Sequence, residues 1–327
     1  MKKFMGLVAV TLLSATILGA CGSAQQSSSG QSSIAGTDGK AYIPIISKGF
    51  QHQFWQAVKS GAEKAAAELN VEISFEGPET EEQVDKQIEM LQAALDKNAK
   101  AIGFAALDSQ AAIPLLQKAK EKNIPVIAFD SGVDSDIPLA TAATDNQKAS
   151  ALAADKMAEL IGSEGEIAMV VHDQTSKTGT DRRDGFVNQI KEKYPNIKIV
   201  DIQYSGDPLK ATDLAKTIMQ AHPNLKGLFG SNEGAAIGVV NAVTEMKMDG
   251  KLVVIGFDSG KQQIEAIKSG KMAGAITQNP VGIGYETVKA AVAAIKGEKV
   301  EKSIDTGFYW YDKTNIDQPE IQAVLYQ

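Results

Sequence analysis

The chain of 327 residues contains a single cysteine, Cys21, and three histidines that lie far apart in the sequence. One cysteine cannot form an intramolecular disulfide, so we expect the folded part to be stabilised by packing alone. Histidines without neighbouring metal-ligand residues at regular spacing do not indicate a zinc site. The sequence therefore predicts a protein that has no cross-link, no bound metal and no other cofactor.

Common catalytic motifs are also missing. Neither the G-x-S-x-G nucleophile motif nor the H-E-x-x-H zinc motif occurs in the sequence. The segment Gly256–Lys261 is one residue shorter than a phosphate-binding loop and continues with Gln262 instead of Ser or Thr. We therefore expect no enzyme activity. An exported hydrolase stays an alternative that turnover of a glycoside would support.

Positive charge is scarce and dispersed. Lys and Arg number 33 against 40 Asp and Glu, which gives a net charge of -7, and no Lys/Arg-rich run occurs. Proteins that bind nucleic acids need a basic face to neutralise phosphates. We therefore expect no nucleic-acid partner.

The longest apolar run lies at the N-terminus. Lys2 and Lys3 precede the apolar residues 4–20, which end in Leu-Gly-Ala before Cys21. A positive start, an apolar core and small residues before a cleavage site are typical of an export signal. The Leu-Gly-Ala-Cys sequence resembles the lipobox of bacterial lipoproteins, in which the cysteine receives a diacylglycerol and becomes the new N-terminus. This resemblance implies lipidation of Cys21.

An uncleaved membrane helix is the alternative for residues 4–20, because their length approaches the lower limit for spanning a bilayer. We favour the lipid anchor because the only cysteine stands at the cleavage position. Residues 1–20 are then the signal peptide. The Ser/Gln/Gly-rich residues 21–39 are a flexible tether to the outer face of the cytoplasmic membrane.

From residue 40 onward, short apolar runs alternate with segments of helical periodicity. Strands are predicted at 41–47, 71–75, 101–105, 125–129, 139–143, 166–171, 197–204, 227–230, 252–257, 274–277 and 303–309. Helices are predicted at 51–69, from the Thr80-x-x-Gln83 capping box to 95, and at 110–122, 147–161, 182–194, 209–221, 235–247, 262–268 and 283–295. Such alternation predicts an α/β fold with doubly wound parallel sheets and right-handed crossovers.

Two of these strands end alike. Val253–Asp258 and Pro125–Asp130 both close with Phe-Asp, followed by Ser-Gly. Polar residues just past the carboxyl ends of parallel strands face the crevice in which open α/β sheets bind ligands. The two endings predict two similar sheets that face one cleft. Asp130 and Asp258 could instead cap helix N-termini, since Asp is favoured there as well. Their occurrence together with Asn232 and Gln278 favours ligand binding.

The residue types predicted at the cleft suit a carbohydrate. A carboxylate can accept hydrogen bonds from two hydroxyls, an amide can both donate and accept, and aromatic rings pack on the C–H faces of a sugar. The polar candidates at strand ends are Ser47, Asp130, Asn232, Asp258 and Gln278. The aromatic candidates are Phe50, Phe54, Trp55 and Phe257.

Several short motifs, in this order and spacing, carry a family resemblance. They are Phe54-Trp55, Ile124-Pro125-Val126-Ile127 with Asp130, Thr144-Asp145-Asn146, Arg182-x-x-Gly185-Phe186, Ala221-His222-Pro223, Ser231-Asn232-Glu233, Gly256-Phe257-Asp258 and Gln278-Asn279-Pro280. From residue 40 to its end, the chain resembles the ribose-binding type of two-lobed (type I) periplasmic binding protein, the sugar-binding component of bacterial ABC importers. The resemblance implies one lobe of residues 40–145 with 279–306 and another of 146–278 with 307–327. Three hinge crossings are expected near 144–146, 278–280 and 306–308.

The resemblance also implies a ligand site. Asp130, Asn232, Phe257, Asp258 and Gln278 match family ligand residues, while Phe54 and Trp55 match the stacking aromatic pair. The complete candidate set is Ser47, Phe50, His52, Phe54, Trp55, Asp130, Ser131, Thr180, Arg182, Asn232, Phe257, Asp258 and Gln278. Phe54 also fits the apolar core face of its helix, and this alternative stays open.

The chain departs from the ribose-binding pattern at several positions. Ser131 replaces an Arg, Thr180 replaces the pocket Arg of the second lobe, and His52 replaces an Asn. Arg182 matches a nearby family Arg, although pairing with Asp181 or Asp184 is an alternative. Lys48 and His52 are positioned to supply the missing donors. These departures indicate a sugar other than ribose, and the remaining histidines, His172 and His222, are expected to be structural.

We expect a monomeric, extracytoplasmic protein that captures a monosaccharide by hinge closure and delivers it to an ABC permease. A sensory receptor that presents a sugar or a sugar-like signal to a kinase or chemoreceptor is the main alternative. A regulator of the lactose-repressor family would share the fold. It is disfavoured because an export signal and a tether stand where that family has a helix-turn-helix.

Overall fold

The computed structural model describes residues 39–97 and 99–326. The predicted signal peptide, the lipidation site Cys21 and all of the predicted tether except Gly39 lie outside the described residues. The elements, in chain order, are β1 (Tyr42–Ile46), α1 (Gln53–Leu69), β2 (Glu72–Glu76), α2 (Val84–Asp96), β3 (Ile102–Phe104), α3 (Ile113–Glu121), β4 (Val126–Phe129), β5 (Ala140–Ala143), α4 (Asn146–Ile161), β6 (Gly165–Val171), α5 (Lys177–Lys193), β7 (Ile197–Tyr204), α6 (Pro208–Ala221), β8 (Leu225–Gly230), α7 (Glu233–Glu245), β9 (Val253–Phe257), α8 (Lys261–Ser269), β10 (Gly274–Gln278), α9 (Pro280–Ile295), β11 (Ser303–Asp305), β12 (Phe308–Asp312) and α10 (Pro319–Gln322).

The strands form two six-stranded sheets. The first has the order β11-β5-β4-β3-β1-β2 and the second the order β12-β10-β9-β8-β6-β7. All strand pairs are parallel except β10 with β12, which are antiparallel. We call the layers around these sheets the first lobe and the second lobe. The predicted α/β class with two similar parallel sheets is confirmed.

The prediction of a single strand at 303–309 is wrong. The chain pairs with the first sheet as β11 and with the second sheet as β12, so this segment passes from one lobe to the other. Gly307 turns the chain between them with a φ of +80°, a left-handed conformation that glycine adopts without steric cost. Apolar periodicity cannot reveal such a break, because both pieces retain extended backbone.

Four predicted helix starts are also wrong, including those of α3 and α9, which begin at Ile113 and Pro280 and not at 110 and 283. Gln83 accepts a hydrogen bond from the Thr80 backbone N–H, as in a capping box, yet α2 begins only at Val84. Helix α5 begins at Lys177, five residues before the predicted start, because Ser176 caps it by accepting a hydrogen bond from the Gly179 backbone N–H. The predicted end of α4 is confirmed, since Gly162 follows it in the left-handed conformation.

Each lobe buries apolar strands beneath amphipathic helices. In the first lobe, α1 and α9 pack together over the sheet, and glycines permit their close approach. A methyl group on Gly61 would overlap the carbonyl oxygen of Val281, and one on Gly284 would overlap that of Val58. Backbone atoms of two packed helices cannot move aside cheaply, so glycine is required at both positions.

We expect Gly284→Ala to lower the free energy of unfolding by about 1–3 kcal/mol, the usual cost of overpacking, despite the higher helix propensity of alanine. Urea unfolding followed by circular dichroism measures this loss. Gly132→Ala is the matched control, because a methyl group there meets no atom closer than 3.9 Å. Equal stability of the two variants would show that the helices can separate without cost.

None of the helices in the described part of the chain is long and apolar enough to cross a membrane.

Candidate functional site

The carboxyl ends of the parallel strands in both sheets point toward one cavity between the lobes. Lys48 lies just past β1, Asp130 past β4, Asn232 past β8 and Asp258 past β9, while Gln278 ends β10. The cavity is narrow and opens to solvent, and about 270 Å³ of space within the cavity and its opening is free of protein atoms. Its lining residues are Lys48, His52, Phe54, Trp55, Glu81, Asp130, His172, Thr178, Arg182, Asn232, Asp258 and Gln278.

Eight of the thirteen predicted site residues lie in this lining. They are His52, Phe54, Trp55, Asp130, Arg182, Asn232, Asp258 and Gln278. Three of the other predicted residues belong to the first lobe, where Ser47 and Phe50 make local contacts and Ser131 contacts the second lobe. The Ser47 hydroxyl donates to backbone carbonyls, Phe50 packs edge-on against Phe75, and the Ser131 hydroxyl lies 3.5 Å from the Thr178 backbone N–H.

Two predicted residues of the second lobe lie behind the cavity wall or away from it. Phe257 is fully buried, with its ring beneath the guanidinium of Arg182. The Thr180 hydroxyl donates back to the Ser176 carbonyl oxygen, and its side chain faces a different surface depression. Thr178, two positions earlier on α5, is the residue that faces the cavity.

Asp130 presents a carboxylate that no described residue satisfies. Its side chain is 5% exposed, and no described residue donates a hydrogen bond to it. Burial raises the pKa of Asp130 to about 6, although Lys48 and Arg182 counteract this rise. The carboxylate is therefore an acceptor that is suited to an external donor. Because β5 rather than a helix follows Asp130, the capping alternative for this residue is wrong.

Asp258 is anchored within the second lobe. Its Oδ1 accepts a hydrogen bond from Nε2 of Gln278 at 2.7 Å, and its Oδ2 accepts one from the Glu233 backbone N–H at 2.9 Å. Helix α8 begins after Gly260, so Asp258 is not the N-cap of that helix. Asn232 caps the neighbouring helix α7 through its side-chain oxygen. Its side chain therefore serves the helix as well as the cavity wall.

Gln278 supplies a second unsatisfied acceptor. Its amide N–H group is used on Asp258, whereas its Oε1 is buried and has no hydrogen-bond partner among the described residues. A buried acceptor without a partner costs about 1–3 kcal/mol. The unsatisfied oxygens of Gln278 and Asp130 thus both suit a ligand that carries several hydrogen-bond donors.

Arg182 orders the second-lobe wall. Its Nε donates to Oδ1 of Asn146 at 2.7 Å and its Nη1 to the Ser231 carbonyl oxygen at 2.9 Å. The guanidinium stacks 3.7 Å from the ring centroid of Phe257 and lies 3.9 Å from Oδ2 of Asp258. The alternative that Arg182 simply pairs with a neighbouring aspartate of its own helix is therefore wrong.

The aromatic wall belongs to the first turn of α1. The rings of Phe54 and Trp55 meet edge-to-face with centroids 4.9 Å apart, and the indole N–H of Trp55 donates to Glu81 at 2.7 Å. Phe54 also belongs to the first-lobe core, so its core and cavity interpretations are compatible. Such a wall can pack against the apolar face of a ring-shaped ligand.

A polar cluster, of which the sequence indicated only Lys48, lies between the two lobes. The Lys48 ammonium donates to Oγ1 of Thr178 at 3.1 Å and lies 3.7 Å from the Glu81 carboxylate. His172 Nδ1 contacts Oγ of Ser231 at 2.8 Å. Burial lowers the pKa of His172 to about 3, so the ring is neutral at pH 7. His172 follows β6 as Asp130 follows β4, and this position could have indicated it.

Glu81 is the least predictable member of the wall, because it lies in the loop after β2. Burial by itself would raise the pKa of Glu81, but Lys48 and His52 hold it below its usual value. Among the described residues, no group of three or more potential ligand side chains is arranged to hold a metal ion. The cavity thus offers hydrogen bonds and an apolar ring surface.

Comparisons with known proteins agree with this geometry. A family model described as "Periplasmic binding protein domain" matches residues 43–299. The D-allose-binding periplasmic protein of Escherichia coli is 30% identical over 269 residues, which cover 80% of this chain and 86% of that protein.

Two solved structures are similar over nearly their whole length. A carbohydrate transporter solute-binding protein from Agrobacterium radiobacter, in complex with D-arabinose, matches with a TM-score of 0.85 and 34% identity, over 88% of this chain and 99% of that one. An ABC transporter solute-binding protein from Agrobacterium vitis with bound D-fucose matches with a TM-score of 0.85 and 35% identity, over 88% and 100%.

Proposed function

The chain belongs to the periplasmic binding protein domain family, and we propose that it captures a monosaccharide between its lobes and delivers it to an ABC permease. The observation that carries the proposal is the pair of unsatisfied acceptors, the Asp130 carboxylate and Oε1 of Gln278, in the same cavity as an aromatic wall. Sugar hydroxyls can donate to both oxygens, while a pyranose or furanose ring packs on Phe54 and Trp55. Similar proteins named for D-allose, or solved with D-arabinose and D-fucose, support this ligand class.

Ligand and closure are coupled through these same groups. When the lobes come together without a ligand, Oε1 of Gln278 is buried without a donor and the Asp130 carboxylate loses most of its access to water, which disfavours the closed arrangement. A sugar supplies the missing donors only while both walls surround it. Its binding energy therefore differs between the open and closed states, and this difference shifts the equilibrium toward the closed state.

We further propose that the protein acts outside the cytoplasm as a monomer, with a lipid on Cys21 as its membrane anchor and no catalytic step. The position of the cysteine after an export signal supports the anchor, and relatives described as periplasmic or as transporter components support the location. These relatives also favour import over the sensory role that the sequence left as an alternative.

We expect at least one pentose or hexose to raise the thermal stability of the protein. A ligand at 100 times its dissociation constant adds about 2.7 kcal/mol to the free energy of unfolding. Calorimetric melting against D-arabinose, D-fucose, D-allose and other monosaccharides measures this increase. Galactitol is the control, because an open-chain polyol has hydroxyls but no ring face for the aromatic wall. If no sugar shifts the melting temperature, or galactitol does so equally, the proposal is wrong.

A further inference from the structure

Glu233 joins the two lobes outside the cavity wall. It is the first residue of α7 in the second lobe, and its side chain is 5% exposed. Its Oε1 accepts a hydrogen bond from the Gln53 backbone N–H at 3.1 Å, and its Oε2 accepts one from the Phe54 backbone N–H at 3.2 Å. One carboxylate of the second lobe thus binds the first two residues of helix α1 in the first lobe.

Helix α1 has no cap of its own. His52 stands at the N-cap position and makes no side-chain hydrogen bond to the helix. The first N–H groups of a helix lack intrahelical partners and carry partial positive charge, so they favour a carboxylate. Glu233 satisfies two of these groups from across the cleft. This capping interaction exists only while the lobes are together.

The same residue is linked to both ligand walls. The Glu233 backbone N–H donates to Oδ2 of Asp258, and its carboxylate binds the N–H of Phe54. Asp258 and Phe54 line the cavity on opposite sides, whereas Glu233 itself does not line it. Glu233 is thus a direct bridge between a candidate ligand carboxylate and the aromatic wall.

A glycine makes room for this bridge. A methyl group on Gly260 would come within 2.8 Å of Cδ of Glu233 and 3.2 Å of Oε1 of Gln53. The φ of Gly260 is −61°, which any residue can adopt, so its glycine is needed for space and not for conformation. Oε1 of Gln53 accepts a second cross-lobe hydrogen bond, from the Lys261 backbone N–H at 2.7 Å.

We infer that Glu233 is a closure latch: a positioning residue that stabilises the closed arrangement and so sets sugar affinity without touching the sugar. This inference rests on the proposed function. Loss of the latch should weaken the affinity for every sugar that requires closure by the same factor. Selectivity among sugars should not depend on it, because the cavity wall remains unchanged.

The direct test is Glu233→Gln, which keeps the size of the side chain and leaves the backbone N–H on Asp258. An amide offers a single acceptor oxygen, and its NH₂ group faces one of the N–H donors of α1. We expect D-arabinose and D-allose to bind roughly 10- to 100-fold more weakly, the range for losing a hydrogen bond to a charged group. Both dissociation rates should rise, and the ratio of the two affinities should stay within about twofold.

Glu82→Gln is the matched control, because Glu82 also binds across the lobes, to Lys210 at 2.7 Å, but both side chains are exposed. Exposed ion pairs contribute little free energy to the arrangement that they join. We therefore expect the affinities of Glu82→Gln for both sugars to stay within about twofold of the wild type. Gly260→Ala should reproduce the Glu233→Gln loss by displacing the latch carboxylate. Hydrogen exchange of the Gln53 and Phe54 amides, measured with sugar bound, should be faster in both latch variants than in the wild type.

The outcomes separate the inference from the proposed function. If no sugar binds the wild type, the proposed function fails. If sugars bind the wild type and Glu233→Gln binds them with unchanged affinity and dissociation rate, the latch is wrong. A changed ratio between D-arabinose and D-allose would also overturn it, because it would place Glu233 in the ligand wall. Melting without sugar shows that each variant is folded.

Discussion

Asp130→Asn should weaken sugar binding by at least roughly 100-fold without lowering the free energy of unfolding. The Asp130 carboxylate receives no hydrogen bond from a described residue, so its removal deprives no protein donor of its partner. The ligand, by contrast, loses hydrogen bonds to a charged acceptor, each of which contributes about 1.5–3 kcal/mol. Loss of two such bonds corresponds to roughly 100-fold or more in affinity.

Asparagine is the correct replacement because it tolerates the backbone conformation of Asp130. Asp130 has a φ of +52°, a left-handed conformation in which Asn and Asp are enriched among non-glycine residues. Alanine would add backbone strain to the loss of the carboxylate and so confuse the two effects. Titration calorimetry with the sugar that binds the wild type measures affinity, and urea unfolding measures stability.

Asp136→Asn is the control for this experiment, because Asp136 lies in the same β4–β5 connection with a fully exposed side chain near Lys302. Its affinity and stability should match those of the wild type. Unchanged sugar affinity in Asp130→Asn would remove Asp130 from the site. A large loss of stability would instead show that the carboxylate has a structural role.

The raised pKa of Asp130 also predicts that closure without sugar depends on pH, and that Asp130→Asn changes this dependence. Burial raises this pKa to about 6 in the closed arrangement, so the closed native state binds a proton more readily than the open or unfolded chain. The free energy that favours closure without sugar is therefore largest below about pH 4 and falls as the pH rises through 6. Asp130→Asn should weaken this dependence, and what remains should come from other buried groups such as Glu233, whose pKa burial also raises. Small-angle scattering of the sugar-free protein at several pH values can measure the change.

Arg182→Met should lower the free energy of unfolding by about 3–5 kcal/mol, the cost of leaving a buried charge without its partner. The guanidinium binds Asn146 and Ser231, stacks on Phe257 and lies beside Asp258. These partners belong to α4, the β8–α7 connection and the end of β9, all within the second lobe. The effect should therefore appear in sugar-free protein, whether or not the lobes are closed.

Arg183→Met provides the comparison for this prediction. Arg183 is the next residue on α5, is partly exposed and binds Asp184 at 2.7 Å, so its loss should cost less than about 1 kcal/mol. Urea unfolding of both variants without sugar measures the difference. If Arg182→Met were as stable as Arg183→Met, the prediction that Arg182 stabilises the second-lobe wall would be wrong. The main role of Arg182 would then be contact with the ligand.

Local sequence signals were enough to predict the class of the fold and much of the cavity. Apolar runs separated by helical periodicity predicted the parallel sheets, because burial on both faces leaves no room for polar residues within a strand. Asp130, Asn232, Asp258 and Gln278 were predicted because they stand where strands stop, and parallel strands bring their carboxyl ends to one edge. This inference needs only the local element boundaries.

The same reasoning failed where a boundary depended on a contact. The start of α5 was misplaced because the Ser176 cap sets it. Thr180 was predicted from its match to the pocket Arg of the resembled family, but Thr178 is the residue that lines the cavity, and two residues along a helix lie on nearly opposite faces. Glu81 was missed because it occupies a loop and is held at the cavity by contacts with Trp55, Lys48 and His52, all distant from it in the sequence. No periodicity marks such a residue.

The amino-acid sequence by itself thus determined the two parallel sheets and the polar and aromatic residues at their facing edges, since both follow from short-range burial patterns. Only the tertiary structure decided which residues meet across the cleft. Glu233 and the N-terminus of α1 are 180 positions apart, and Lys48 reaches Thr178 over 130 positions. Such pairs depend on how one lobe is oriented against the other, and that orientation results from the packing of whole layers.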